Sequence, residues 1–221
     1  MYIKKLENNN LLTSEKEKFK RSMIFPGFFL FLIWFVKFTE FGLGVDFSFL
    51  GIYPLRLKGI VGVITAPLVH DDIRHLTDNS IPVFLLSVAV FYFYSEVAFH
   101  VFFLGWFVTG FLVWVVGREA YHIGASGLVY AFAAFLLVSG IIRKNRNLMA
   151  ISLLVIFLYG SLVWGLFPYD YRVSWESHLM GAITGIVLAF RYRNEGPVPD
   201  IMRIDEEEEE VEDIETKEIK E

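Results

Sequence analysis

The chain has no cysteine among its 221 residues. That absence excludes disulfide staples, thiolate metal sites and a cysteine nucleophile. Charge is also scarce over long stretches. Charged residues make up 20% of the chain and are clumped, where a soluble domain spreads about 25% along its length. Residues 195–221 hold 13 acidic and 3 basic groups, a net of −10, and the rest of the chain carries a net of +5. The formal charge of −5 averages these two parts and therefore says little about partners. No internal repeat is visible, which argues against a transporter built from duplicated halves. A zinc protease motif is missing too. It needs His at i and i+4 with Glu beside the first, whereas His70 and His75 are five apart and Asp follows His70.

Apolar residues are abundant. They make up 55% of the chain, with a mean hydropathy of +0.49 and 17% aromatics. A bilayer core about 30 Å thick needs roughly 20 apolar residues per spanning helix. Six such runs are legible: 22–45, 80–95, 97–117, 124–142, 147–169 and 177–190, the last extending back to 173. The first is interrupted by Lys37 and Glu40, which can pair at i and i+3 or reach the interface. It is too long for a cleaved signal peptide and is expected to be a retained span. The expected fold is an all-α, polytopic membrane bundle of six transmembrane helices. Its divisions are a short N-terminal segment (1–21), a membrane domain (22–193) and an acidic, solvated tail (194–221).

Lys and Arg set the orientation. With the N-terminus in the cytoplasm, the inner segments carry 11 basic residues and the outer connections five. Both termini are then cytoplasmic. The expected location is the cell membrane, as a multi-pass protein of a bacterial inner membrane. The connection 46–79 is long and half apolar, so it is expected to fold against the outer leaflet.

Polar groups inside spans are costly and tend to be functional. Gly124-Ala125-Ser126-Gly127 opens span 4. Such a start offers a serine with backbone N–H groups free for an oxyanion, or equally a small-residue packing face. His178 stands at i−3 and i−7 from Gly181 and Gly185 in span 6, so one helix face carries all three. The glycines form a seam for close helix approach. Ser126 and His178 fall near the outer ends of helices running in the same direction. Their depths match to within a turn or two, which sets a nucleophile beside a base. His75 and Asn79 share a face at i and i+4 and can donate hydrogen bonds to an oxyanion. Glu176, two residues before His178, points elsewhere on the helix. His100 is expected at a packing or interface position, and His122 near the site without an assigned role.

Together these motifs resemble those of the rhomboid intramembrane serine proteases, of the bacterial six-span type. GxSG matches Gly124 to Gly127, with a tyrosine four residues on at Tyr130. HxxGxxxG matches His178, Gly181 and Gly185. HxxxxHxxxN matches His70, His75 and Asn79. The resemblance covers about residues 22–193. It implies a Ser–His dyad without an acid, with Ser126 as nucleophile and His178 as general base and acid. It implies an oxyanion site of the Ser126 N–H, His75 and Asn79, Tyr130 stacked on His178, and His70 holding the first outer loop. Transmembrane protein substrates would enter sideways from the lipid bilayer and be cut near the outer face. No cofactor, metal or nucleic-acid partner is called for. Many family members carry a Trp-Arg pair in the first outer loop. Here no Trp lies between Trp34 and Trp106, and Arg56 is the one residue suited to part of that role. A catalytically silent rhomboid-like protein that binds membrane segments is the alternative. Retention of both Ser126 and His178 speaks against it.

Overall fold

The computed structural model describes residues 2–158, 165–168, 171 and 173–197, with residues 2–12 as helical backbone alone. Seven α-helices follow one another among the described residues: α1 (Tyr2–Leu43), α2 (Gly62–Thr65), α3 (Ile73–Phe93), α4 (Ala98–Val116), α5 (Ser126–Arg143), α6 (Arg146–Leu158) and α7 (Trp175–Arg191). There is no strand among the described residues, and one antiparallel bridge joins Ile52 to His122. Among the described residues, four helices are long and apolar enough to cross a bilayer: Thr13–Leu43 within α1, then α3, α4 and α5. The protein is thus an all-helical, multi-pass membrane protein in a lipid bilayer. The helices standing where the fifth and sixth spans were expected, α6 and α7, are described over 13 and 17 residues. The expected fifth run, 147–169, lies partly outside the described residues.

Helix α1 shows how the pattern works. Ser22, Pro26, Phe29, Ile33, Lys37 and Glu40 are buried in steps of three and four. Phe28, Phe31, Phe35, Phe38 and Phe41 are exposed on the other face. A water-soluble helix would expose polar groups there; in a bilayer phenylalanine is the compatible choice. The buried stripe packs on α3, where Trp34 Nε1 donates to Ser80 Oγ at 3.1 Å. The helix begins at Tyr2, so the short N-terminal segment is continuous with the first span.

Helix α5 is central. It buries eleven residues, including Phe132, Phe135 and Leu136. Around its middle stands a cluster of aromatic rings: Phe25 meets Phe91, Phe99 and Phe102 with centroids 4.9–5.2 Å apart. Phe25 is stacked on Phe91 and edge-to-face with Phe99 and Phe102, and such pairs add about 0.5–1.5 kcal/mol beyond area burial. On its other side α5 receives α7, where Gly181 and Gly185 sit against the α5 backbone.

The connection from α1 to α3 occupies residues 44–72, shorter than the expected 46–79, because α3 begins at Ile73 and already contains His75 and Asn79. It winds through 3₁₀ turns at Ser48–Leu50, Leu57–Gly59 and Ala66–Leu68 around α2. Leu55, Leu57, Val61 and Ile64 are exposed along it. Tryptophans of α4 hold it down: Trp106 Nε1 donates to Val63 O and Trp114 Nε1 to Arg56 O, both at 3.1 Å. Arg56 itself is exposed and reaches Glu119 at 3.8 Å. The connection, which has no tryptophan of its own, is thus bonded to two tryptophans of α4.

Candidate active site

Gly124 has φ +100°, a conformation open to glycine and strained for other residues. It turns the chain into α5, and its N–H donates to Ala66 O at 2.9 Å. The next N–H, that of Ala125, donates to His70 Nε2 at 3.4 Å. Ser126 is the first residue of α5, so its N–H has no carbonyl of its own helix to meet.

Across from Ser126, α7 carries His178. Its Nε2 is 2.9 Å from Ser126 Oγ, and its Nδ1 is 2.8 Å from Gly165 O. A carbonyl only accepts, so Nδ1 holds the proton and Nε2 presents its lone pair to the serine hydroxyl. A general base at this position needs that tautomer. Tyr130, one turn along α5 from Ser126, lies flat on the imidazole with centroids 4.2 Å apart and planes 13° from parallel. His178 is 8% exposed, so the ring is clamped rather than free to rotate in solvent.

His75 and Asn79 approach from α3. A side chain on Gly124 would stand 2.8 Å from His75 Nε2 and 3.8 Å from Asn79 Nδ2. The bare glycine is what lets the two come to the entry of α5. Asn79 Nδ2 also donates to His75 O at 2.9 Å, which fixes its amide plane. Asp72 caps α3 by accepting from the His75 N–H at 2.7 Å, and that bond holds the Asp72 carboxyl below the usual range. His70 is 1% exposed, edge-on to His75 with centroids 5.1 Å apart. Burial, helped by neighbouring His75, pushes its pKa down to about 3, so the ring is neutral and accepts at Nε2.

Gly127 completes the glycine pair beside Ser126 and faces Thr109 of α4 and the Ser177 carbonyl. The structure thus brings Ser126, His178, Tyr130, His75 and Asn79 into one place, with His70, Gly124, Gly127, Gly181 and Gly185 behind them. His100 is exposed.

Residues 58–195 match the Rhomboid domain. The chain belongs to the rhomboid family. An uncharacterized protein of Mycobacterium tuberculosis is 36% identical to it over 177 residues, covering 73% of this chain and 71% of the relative. One of Mycobacterium bovis shows the same figures. A protein of Mycobacterium leprae is 33% identical over 150 residues, covering 63% of this chain and 59% of the relative. Rhomboids are in general intramembrane serine proteases, and some members are inactive.

Two features of this rhomboid's site were not singled out in the sequence, and a third was expected near it without an assigned role. The first is the Gly165 carbonyl, which orients His178 in the position an acid occupies in a triad. The second is an ion pair: Arg118 Nη1 donates to both oxygens of buried Glu176 at 3.0 Å, while Nη2 donates to Tyr171 O and Val173 O. It ties the segment before α5 to the segment before α7, the two that carry Ser126 and His178. The third is His122, buried between Arg118 O at 3.1 Å and Ser174 Oγ at 2.5 Å. Burial lowers its pKa. Opposite charges 58 residues apart, each beside an apolar run, were the available signal for the ion pair.

Proposed function

We propose that the protein is an intramembrane serine endopeptidase that cleaves transmembrane segments of membrane proteins near the outer face. Ser126 gives its proton to His178 Nε2 and its oxygen attacks the scissile carbonyl. The resulting oxyanion is stabilised by the Ser126 N–H, His75 and Asn79. His178, now doubly protonated and steadied by Gly165 O, donates from Nε2 to the leaving amine. A water molecule then gives a proton to His178 and attacks the acyl-serine, and the serine regains its proton as the ester breaks. The chain crosses a bacterial inner membrane six times, with both termini in the cytoplasm. Residues 22–193 form the membrane domain and 194–221 an acidic tail outside it.

The single observation that carries the reading is the 2.9 Å contact between Ser126 Oγ and His178 Nε2. Purified protein in liposomes with a single-span substrate tests it. Ser126→Ala and His178→Ala each abolish cleavage, because a nucleophile and its base act as one unit. Asn79→Ala or His75→Ala lowers kcat about 10²–10³-fold with binding unchanged. A fluorophosphonate labels the wild type and not Ser126→Ala. A folded wild type that neither cleaves nor labels is a silent rhomboid-like binding factor.

A further inference from the structure

Lys37 and Glu40 stand on the buried stripe of α1, inside the first span. Charges at this depth are expensive unless each finds partners. Lys37 Nζ donates to Glu40 Oε2 at 2.9 Å, to His70 O at 2.9 Å and to Asp71 O at 2.7 Å. All three partners lie within hydrogen-bond reach, so the ammonium is fully used. Glu40 has its second oxygen on the Phe47 N–H at 3.2 Å. The pair is 10% and 11% exposed and touches no group of the dyad.

What Lys37 holds is the two-residue bridge ahead of α3. The His70 ring receives the Ala125 N–H, next to Ser126, and packs on His75. Asp72 follows Asp71 and fixes the first turn of α3 through the His75 N–H. One ammonium thus sets the backbone from which both His75 and the Ala125 contact are built. A stabilising role alone would be met by an apolar pair, because buried ion pairs are often replaceable at no loss of stability. A donor placed on two successive carbonyls fixes position instead.

We propose that Lys37, steadied by Glu40, is a positioning residue for the oxyanion-binding side of the site. It sets His75 and Asn79 relative to Ser126 without contacting substrate. The inference rests on the protease reading above.

The test compares wild type, Lys37→Met and the double variant Lys37→Met/Glu40→Gln, which leaves no unpaired charge. Measurements are substrate cleavage in liposomes and amide hydrogen exchange of the whole chain. The double variant is expected to keep its thermal midpoint and its KM. Its kcat falls about 10–10²-fold, the range a misplacement near 1 Å produces. Exchange accelerates across residues 70–79 and not elsewhere. In an Asn79→Ala background the same change costs much less, because the group being positioned is gone. An unaltered kcat in the double variant overturns the inference. So does a loss that adds in full to that of Asn79→Ala, or acceleration of exchange throughout the bundle. A folded wild type that neither cleaves nor labels overturns the protease reading and this inference with it. An active wild type beside an unaffected variant overturns this inference alone.

Discussion

The carbonyl oxygen of Gly127 lies 2.2 Å from where a Cβ on Gly181 would stand. Gly185 meets Ala131 O in the same way at 2.1 Å. Both distances are far inside van der Waals contact, and both obstacles are backbone, which cannot swing aside. Helices α5 and α7 therefore touch main chain to main chain at the level of Ser126 and His178.

Even one methyl group at Gly181 should separate them. Gly181→Ala is expected to lower the thermal midpoint in detergent and to cut kcat at least about 10²-fold, since a shift of roughly 1 Å suffices. Gly181→Ala with wild-type melting and turnover would show that the seam yields at no cost.

Gly165 offers a second steric test. A Cβ there would stand 2.3 Å from the Tyr130 hydroxyl and 2.8 Å from His178 Nδ1. Gly165→Ala should push the imidazole off its stack on Tyr130 and lengthen its bond to the carbonyl. Cleavage should drop by about 10–10²-fold with KM little changed. Kinetics of the purified variant decide it, and an unchanged kcat would remove the carbonyl from any orienting role.

The Arg118–Glu176 pair should behave asymmetrically. Arg118→Met leaves a carboxylate buried without its partner, a loss of about 3–5 kcal/mol for a fully buried pair. The Arg118 side chain is 35% exposed, and solvent screening reduces that to about 1–3 kcal/mol. Arg118→Met/Glu176→Gln should recover most of the loss. Melts of the two variants read the difference; equal melting would mean that the orphaned carboxylate is not what costs stability.

His70 makes a prediction about acid. Its folded pKa is about 3 against 6.5 for the free side chain. Between those values the unfolded chain binds a proton that the folded chain refuses, so stability rises with pH across this window. The contribution is flat above pH 6.5 and is lost as pH falls toward 3, by up to about 1.4 kcal/mol per pH unit. Lys37 and His75 both disfavour its charging, while burial is the leading cause. Melting of His70→Gln compared with wild type at about pH 7.5 and 4.5 should show a shallower acid loss in the variant. Parallel curves would contradict the buried neutral ring.

Much of this was legible in the chain itself, for physical reasons. Six apolar runs are local signals, and four of them became helices long enough to cross a bilayer. Gly124, Gly181 and Gly185 can be read because glycine marks close approach wherever it occurs. The partners of His178 divide differently. Tyr130 follows Ser126 by one helical turn and is visible, whereas Gly165 acts through a carbonyl that every residue has. Lys37 and Glu40 read as an i,i+3 pair, but the link to His70 and Asp71 spans more than thirty residues and leaves no periodic trace. The boundary of α3 was placed late because Ile73 to Asn79 is mostly polar, although Asp72 is a strong N-cap.

The contact between Ser126 and His178 joins positions 52 residues apart, with the serine first. At about 5–20 residues per second, a ribosome adds the histidine roughly 3–10 s after the serine. Until then the Ser126 hydroxyl lacks its His178 partner. Biosynthesis therefore completes the pair only when α7 is added, and on the proposed reading a nascent chain interrupted before α7 carries the serine without its base. Under the proposed mechanism, cleavage therefore waits on the synthesis of α7, whatever the state of the helices made before it.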